Sequence, residues 1–233
     1  MTFILNIETA TPVCSVALYA DGKILSQKTG DKPNIHSEKL TLFIEETIKE
    51  GNLTFRQLDA VAVSEGPGSY TGLRIGASAA KGLCYALDIP LIAVSTLQAM
   101  AVCMKRFYKN GDVLYCPMID ARRKDVYTAL YNAQGEPIDP ISAKTINEHT
   151  FQDILSRRTI IFGGDGAEKC REIINSSNAL FLNNFKYTAE GVAALSHKKW
   201  ERREFTDTAY FEPFYLKEFQ AGKPKVKGLY DTK

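Results

Sequence analysis

The chain repeats itself once. Residues 3–27, FILNIETATPVCSVALYADGKILSQ, alternate apolar and polar positions around Asp21-Gly22, which predicts three antiparallel strands with a tight hairpin between the last two. Shifted by 112 residues, Ile7-Glu8 falls on Ile119-Asp120 and Ala17-Leu18-Tyr19 on Ala129-Leu130-Tyr131, with a second hairpin closing around Gln134-Gly135. Ser37 to Glu50 and Glu148 to Arg158 both carry helical patterning, and each precedes a short apolar strand, AVAV at 60–63 and TIIF at 159–162. Each strand runs into a glycine turn, Gly66-Pro67-Gly68 or Gly164-Asp165-Gly166, and then into an expected helix. A plan spelled out only twice predicts two similar lobes and not a solenoid. A helix from Thr96 to Tyr108, stopped by Asn110-Gly111, joins them. The expected division is therefore a lobe at 1–108, a smaller lobe at 109–216 and a lysine-rich tail at 217–233 that is poorly ordered alone. A third helical stretch, Thr188 to Arg203, precedes a C-terminal segment with one more short strand.

Composition removes several function classes. A formal net charge of +2 announces no strong autonomous nucleic-acid binding. The basic clusters at 105–109, 122–124 and 198–203 and the lysine-rich tail read as solvated faces or, at most, a weak polyanion surface. Cysteines 14, 84, 103, 116 and 170 include no CxxC pair, so they read as reduced buried thiols in a cytoplasmic protein, not as a disulfide frame or a zinc site. No apolar run is long enough to span a membrane, and no secretory signal is expected.

The stretch SEGPGSYTGLRIG, residues 64–76, looks like chemistry and misses each template. A P-loop needs a lysine and hydroxyl after its second glycine, but Thr71 stands in the glycine position and the next lysine is Lys81. The dinucleotide fingerprint fails at Thr71, with Gly72 one place late, and Pro67 removes an N–H that could hold a phosphate. A nucleophile elbow would centre a serine where Tyr70 stands. His36, His149 and His197 are scattered, and none has a local partner at metal-ligand spacing; His36 reads as a capping or packing residue.

Downstream of Tyr70 the pattern predicts a helix with a surplus of small and apolar side chains. With Thr71 as N-cap, Gly72, Gly76, Ala79, Ala80, Leu83 and Leu87 share one face, and Leu73, Ala77 and Cys84 widen it. A helical glycine costs roughly 1 kcal/mol relative to alanine, so Gly76 and Gly82 call for close approach by another helix. The preceding helix turns Leu40, Phe43, Ile44, Thr47 and Ile48 inward and Leu42 outward among Glu46 and Lys49. The surplus surface suits internal packing or a partner protein.

Taken together, NIETATPVCSVALY, SEGPGSYTGLRIGASAAKGL, IDARRKDVYTALY, IFGGDGA and PFYLKEF, in that order from Asn6 to Phe219, resemble the TsaB (YeaZ) family of bacterial tRNA-modification proteins. The resemblance implies an α/β, two-lobed, duplicated RNase H-like fold of the ASKHA superfamily of sugar kinases, heat-shock chaperones and actin. It implies a non-catalytic role, without cofactor or metal, in threonylcarbamoylation of the adenosine beside the anticodon in tRNAs reading A-starting codons. The partners it implies are TsaD, which carries the metal and transfers the group, TsaE, an ATPase, and a second copy when the chain is alone. Contact with tRNA is indirect or weak, and no membrane is involved. The pairing surface it implies comprises Leu42, Thr71, Gly72, Leu73, Arg74, Gly76, Ala77, Ala80, Leu83 and Cys84, and Ala80→Arg is expected to block pairing while leaving the lobe folded. A vestigial nucleotide cleft is expected at Glu8, Thr9, Asp120, Gly163, Gly164 and Gly166, because Glu8 is longer than aspartate and Arg122, Arg123 and Lys124 fill the second phosphate turn. The family's C-terminal Tyr-Leu-Arg stands here as Tyr215-Leu216-Lys217, which loses the bidentate fork. Two other readings remain: an ATP-dependent phosphotransferase using Glu8, Asp120 and the turn at 163–166, and a glycoprotease-like peptidase.

Overall fold

The computed structural model describes residues 1–108 and 112–217. Phe3–Glu8 (β1), Cys14–Ala20 (β2) and Lys23–Gly30 (β3) form an antiparallel meander, closed at Asp21-Gly22, both at positive φ. Ile35–Glu50 (α1) leads to Ala60–Gly66 (β4), parallel to β1, and Tyr70–Leu87 (α2) leads to Leu91–Ser95 (β5), parallel to β4. Thr96–Met104 (α3) then crosses to the second half, made of Val113–Asp120 (β6), Asp125–Thr128 (β7), Ser142–Thr145 (β8), Gln152–Leu155 (α4), Thr159–Gly163 (β9) and Ala179–Phe181 (β10). Ala189–Glu201 (α5) is the last helix of the described residues. The first sheet runs β3-β2-β1-β4-β5 and the second β10-β9-β6-β7-β8, the same order read from the opposite edge. The parallel and antiparallel pairings also match, so the fold is a duplicated RNase H-like α/β fold.

Layering follows from which faces are apolar. Strands buried on both sides read as continuous apolar runs, as in β1, β2 and β4. One face of the first sheet packs on α1 and α2 through Leu5, Val16, Val61, Leu40, Ile44 and Ala80. Its other face meets α3, α5 and the second sheet through Ile4, Ala62, Met100, Val192, Tyr115 and Ile161. The short α3 is apolar nearly all round because it lies between layers. The far face of the second sheet forms its own cluster with Phe151 and Leu155.

By chain order α5 belongs to the 109–216 lobe, but it packs on β1 and β2 of the first sheet. Ser196 Oγ donates to Asn6 Oδ1 at 2.6 Å, and Lys199 Nζ donates to the Ala93 carbonyl at 2.8 Å. The segment after α5 also returns to the first lobe. Thr206 N donates to Leu91 O at 2.9 Å, Phe211 is buried with α1 and α2, and Phe214 N donates to Glu65 O at 2.6 Å. In this strap Thr206 forms an isolated bridge with Leu91 ahead of the segment expected to hold a short strand; residues 211–217 hold none, and the rest of that segment lies outside the described residues. Asn110-Gly111 and the rest of the lysine-rich tail lie outside the described residues.

The repeat is less regular than its sequence pattern. Asp120 pairs with Val126 where Glu8 pairs with Ser15, so the offset of 112 on β6 becomes 111 on β7. The turn at Ala121–Lys124 is one residue shorter than the turn at Thr9–Val13, and the alignment of Ala17-Leu18-Tyr19 on Ala129-Leu130-Tyr131 is therefore out of register by one. The helix expected at 148–158 shrinks to α4, because Asn147 accepts from His149 N at 3.0 Å and receives Thr150 N on its carbonyl, holding the start in a turn. The helix expected after Gly166 is one 3-10 turn, Glu168–Cys170. The helix expected to reach Tyr108 ends at Met104. Strands β5 and β10 complete each sheet beyond the repeat read from sequence.

Candidate functional site

The glycines at 66–76 seat α2 on the β1–β2 turn. Ser69 N donates to Ala10 O at 2.7 Å, and Ser69, not Thr71, is the N-cap, its Oγ accepting from Gly72 N at 3.2 Å. Thr71 lies exposed in the first helical turn. A Cβ on Gly72 would overlap the Thr9 carbonyl oxygen, and one on Gly76 would overlap Thr9 Oγ1. Close approach is therefore real at both positions, but the neighbour is a strand turn and not a second helix. At Gly82 an added Cβ would meet nothing within 4 Å, so nothing described in this chain offsets that glycine's helical cost.

Burial divides the candidate pairing surface. Gly72, Leu73, Gly76, Ala77, Ala80 and Cys84 are buried in their own lobe, Leu83 is half-buried, and Thr71, Arg74 and Leu42 are exposed. Six of these ten residues therefore stabilise the lobe that would carry an interface, and they offer no free surface. Ala80 has no exposed area, so Ala80→Arg would break the packing against the sheet before it tested any docking. Thr71, Arg74, Ser78, Gly82 and Tyr85, at helical spacing, face outward from α2 together with Ala86, and Tyr85 is 88% exposed. Leu42, 42% exposed on neighbouring α1, is a second apolar group on that side of the lobe. Arg74 donates to Tyr70 OH at 3.0 Å and lies over the Tyr70 ring. Tyr85 and Gly82 had a readable signal in the sequence, an aromatic three residues from a helical glycine on the polar side.

A cleft of about 940 Å³ separates the lobes, with Thr11, His36, Tyr70, Arg122, Arg123 and Tyr215 among its lining residues. Residues expected to form a nucleotide site are dispersed around it. Glu8 has no exposed area; one carboxylate oxygen accepts from Ala10 N at 2.6 Å and Thr11 N at 3.3 Å, and Ser64 Oγ donates to the other. Tyr187 OH lies 3.2 Å from Ser64 Oγ. Burial pushes the Glu8 carboxyl up to about 7 despite these hydrogen bonds. Thr9 is fully buried beneath Gly76. Gly164, at φ +117°, would overlap Met118 O if it carried a Cβ, and Gly166 N donates to Met118 O at 3.0 Å. The two glycine turns thus use backbone donors to seat themselves on neighbouring chain: Gly66 N donates to Thr96 Oγ1 at 3.1 Å in the first half. Gly163 packs against Met104.

Of the expected cleft residues, Asp120 has a partly exposed side chain, and it is ion-paired with Lys169 while accepting from Arg122 N at 3.0 Å. Arg122 and Arg123 occupy successive positive-φ positions, at 65° and 52°. A left-handed L-residue costs roughly 1–2 kcal/mol, and neither is glycine or asparagine. His36 is half-buried in α1, its Nε2 has no partner among the described residues, and burial lowers its pKa. Five cysteines are free and buried, with Cys116 pushed up to about 12 by burial, so these thiols are protonated and unreactive at neutral pH. Among the described residues no three His, Cys, Asp or Glu side chains group closely enough to hold a metal ion. No described helix is long and apolar enough to cross a membrane.

Comparison with known proteins places this architecture. A family model described as "TsaD: tRNA N6-adenosine threonylcarbamoyltransferase" matches residues 23–222. The tRNA threonylcarbamoyladenosine biosynthesis protein TsaB of Buchnera aphidicola is 34% identical over 192 residues, 78% of this chain and 85% of that protein. The chain belongs to the TsaB family. Escherichia coli TsaB is 38% identical over 128 residues, 55% of this chain and 54% of that protein. A crystal structure from Pseudomonas aeruginosa, described as similar to peptidase YeaZ, superimposes with a TM-score of 0.82 at 27% identity, covering 93% of this chain and all of that one. A tRNA N6-adenosine threonylcarbamoyltransferase of Bacillus anthracis is 41% identical over 109 residues, 40% of this chain and 32% of that enzyme. This TsaB-family chain therefore shares a segment with transferases as well as its whole architecture with YeaZ.

Proposed function

We propose that this chain acts in tRNA threonylcarbamoyladenosine biosynthesis as a non-catalytic subunit that docks on a TsaD-type transferase through the outward side of α1 and α2. One observation carries the reading: Gly82 and the nearly fully exposed Tyr85 leave an uncovered small-residue face on a helix whose other side is fully packed. A helix thinned by glycine lets another helix approach closely, and a neighbouring tyrosine supplies an aromatic anchor. The partner's chemistry is supported by similarity, because two chains built on related segments can pair through equivalent helices in a quasi-two-fold contact. Self-association through the same face is the corresponding homodimer, and TsaE is expected to join the TsaD-bound form.

The buried Glu8 and the donors used within both glycine turns weigh against the phosphotransferase reading. For a peptidase, the buried Ser64–Glu8 pair offers no accessible nucleophile. The test is a tRNA modification assay with the purified TsaD-type protein of the same cell, with and without this chain. The reading expects no modification and no ATP turnover from this chain alone, and stimulation when it is added. Robust activity of the isolated chain, or a transferase indifferent to it, would overturn the reading.

A further inference from the structure

The β6–β7 turn holds two successive arginines in a backbone conformation that disfavours them, and both side chains line the interlobe cleft. Strain of this kind is informative where the surrounding structure maintains it. Among the described residues neither guanidinium has a side-chain partner, whereas the nearby carboxylates are occupied: Asp120 by Lys169, and Asp125 by Lys217 at 2.5 Å and by Thr145 Oγ1. Asp165 adds one further carboxylate, taking Asp120 N at 3.4 Å, so Arg122, Arg123 and Lys217 equal the cleft's three acids in number, and the two arginines are the cations left without a carboxylate partner among the described residues. Tyr215, 38% exposed, lines the same cleft and packs at 4.9 Å between ring centroids on Tyr70, whose ring Arg74 also covers, so Tyr215 supplies the cleft's aromatic face.

We propose that this cleft binds a segment of single-stranded RNA, with backbone phosphates on Arg122 and Arg123 and a base against Tyr215. The inference deepens the reading of a tRNA-modification subunit and rests on it for the identity of the nucleic acid. Unpaired cationic side chains beside an aromatic face are the general recognition chemistry of single strands, tolerant of sequence. A mononucleotide is disfavoured, because Glu8 is buried and Gly66 and Gly166 use their N–H groups within the fold. Duplex RNA presents its bases stacked and paired, so it offers nothing to an aromatic face.

The test is fluorescence anisotropy of a labelled oligouridine titrated with the full chain at low salt, with ATP and an RNA duplex as competitors. Two phosphate contacts predict that log affinity falls with log salt at a slope of about −1.4. Arg122→Asn combined with Arg123→Asn keeps residues that tolerate positive φ, so thermal melting should be unchanged while affinity drops at least about tenfold. Tyr215→Ala should lower affinity by roughly tenfold, as loss of one stacked base does. Absence of oligouridine binding at low salt, equal binding by the double asparagine variant, or displacement by ATP or duplex as effective as by unlabelled oligouridine would overturn the proposal. Docking on the transferase is measured on the same variants. Docking retained without RNA binding by the wild-type chain would sink this inference alone, whereas RNA binding without docking would sink the subunit reading alone.

Discussion

The two glycine turns have the same place in the fold and different sequels. After Gly68, a serine cap and a run rich in alanine support the eighteen-residue α2. After Gly166 there is no side-chain cap, and AEKCREIINSSN supplies Asn and Ser groups that compete for backbone hydrogen bonds, so only a 3-10 turn forms. The adjoining strand turns differ in the opposite sense. Thr9 and Ala10 are buried under α2, whereas Arg122 and Arg123 remain exposed at the cleft. Duplication thus produced one half that presents a helix and another that presents a charged turn, and the difference lies in the residues after each glycine pair and in the turns at 9–13 and 121–124.

The comparison breaks most easily at the glycine seats. Gly72→Ala and Gly164→Ala each force a Cβ onto a backbone oxygen, and each should destabilise the fold by more than about 3 kcal/mol in urea unfolding. A cost below about 1 kcal/mol at either position would mean that the two seats are not equivalent. Next comes Glu8. Its folded pKa is about 7 against an ordinary 4.5, so the folded state favours its protonated form. The wild type should lose up to about 3 kcal/mol of stability, at 1.36 kcal/mol per pKa unit, as pH rises from below 4.5 to above 7, and Glu8→Gln should remove that slope. A parallel pH profile for the two proteins would show that Glu8 is not held neutral.

Smaller effects separate the faces of α2. Tyr85→Ala should leave the melting temperature unchanged and weaken transferase docking by about 2 kcal/mol, the scale of an interface hot spot. Gly82→Ala should raise stability by roughly 0.5–1 kcal/mol, because nothing occupies the space its methyl enters. The opposite signs at Gly72 and Gly82, on one helix, sharpen the distinction between a glycine held for packing and one open to a partner.

Much of this architecture is legible in the sequence. Asp21-Gly22 and the paired glycine turns mark two β-meander lobes because turn residues are local signals, although β1 and β2 are buried on both faces and only β3 of the first meander approaches period-2 burial. Helix α2 is legible as a helix but not in its orientation. Leu73, Ala77 and Ala80 form an apolar stripe equally suited to a sheet or a partner, and only tertiary packing decides between them. The strap through Phe211 and Phe214 is illegible because its contacts are backbone carbonyls and a core pocket more than a hundred residues away in sequence. Glu8 carries an acidic signal at the expected turn, yet its burial depends on Ser64 and Tyr187, which no local pattern connects.

The central claim is that the open side of α2 is a docking face and its packed side is not. It is tested most directly by isothermal titration of the TsaD-type transferase into the wild-type chain and into Gly82→Arg, with melting curves for both. The account predicts a folded variant with at least about a hundredfold weaker binding, a loss near 2.7 kcal/mol. A folded variant that binds as tightly as the wild type would contradict it.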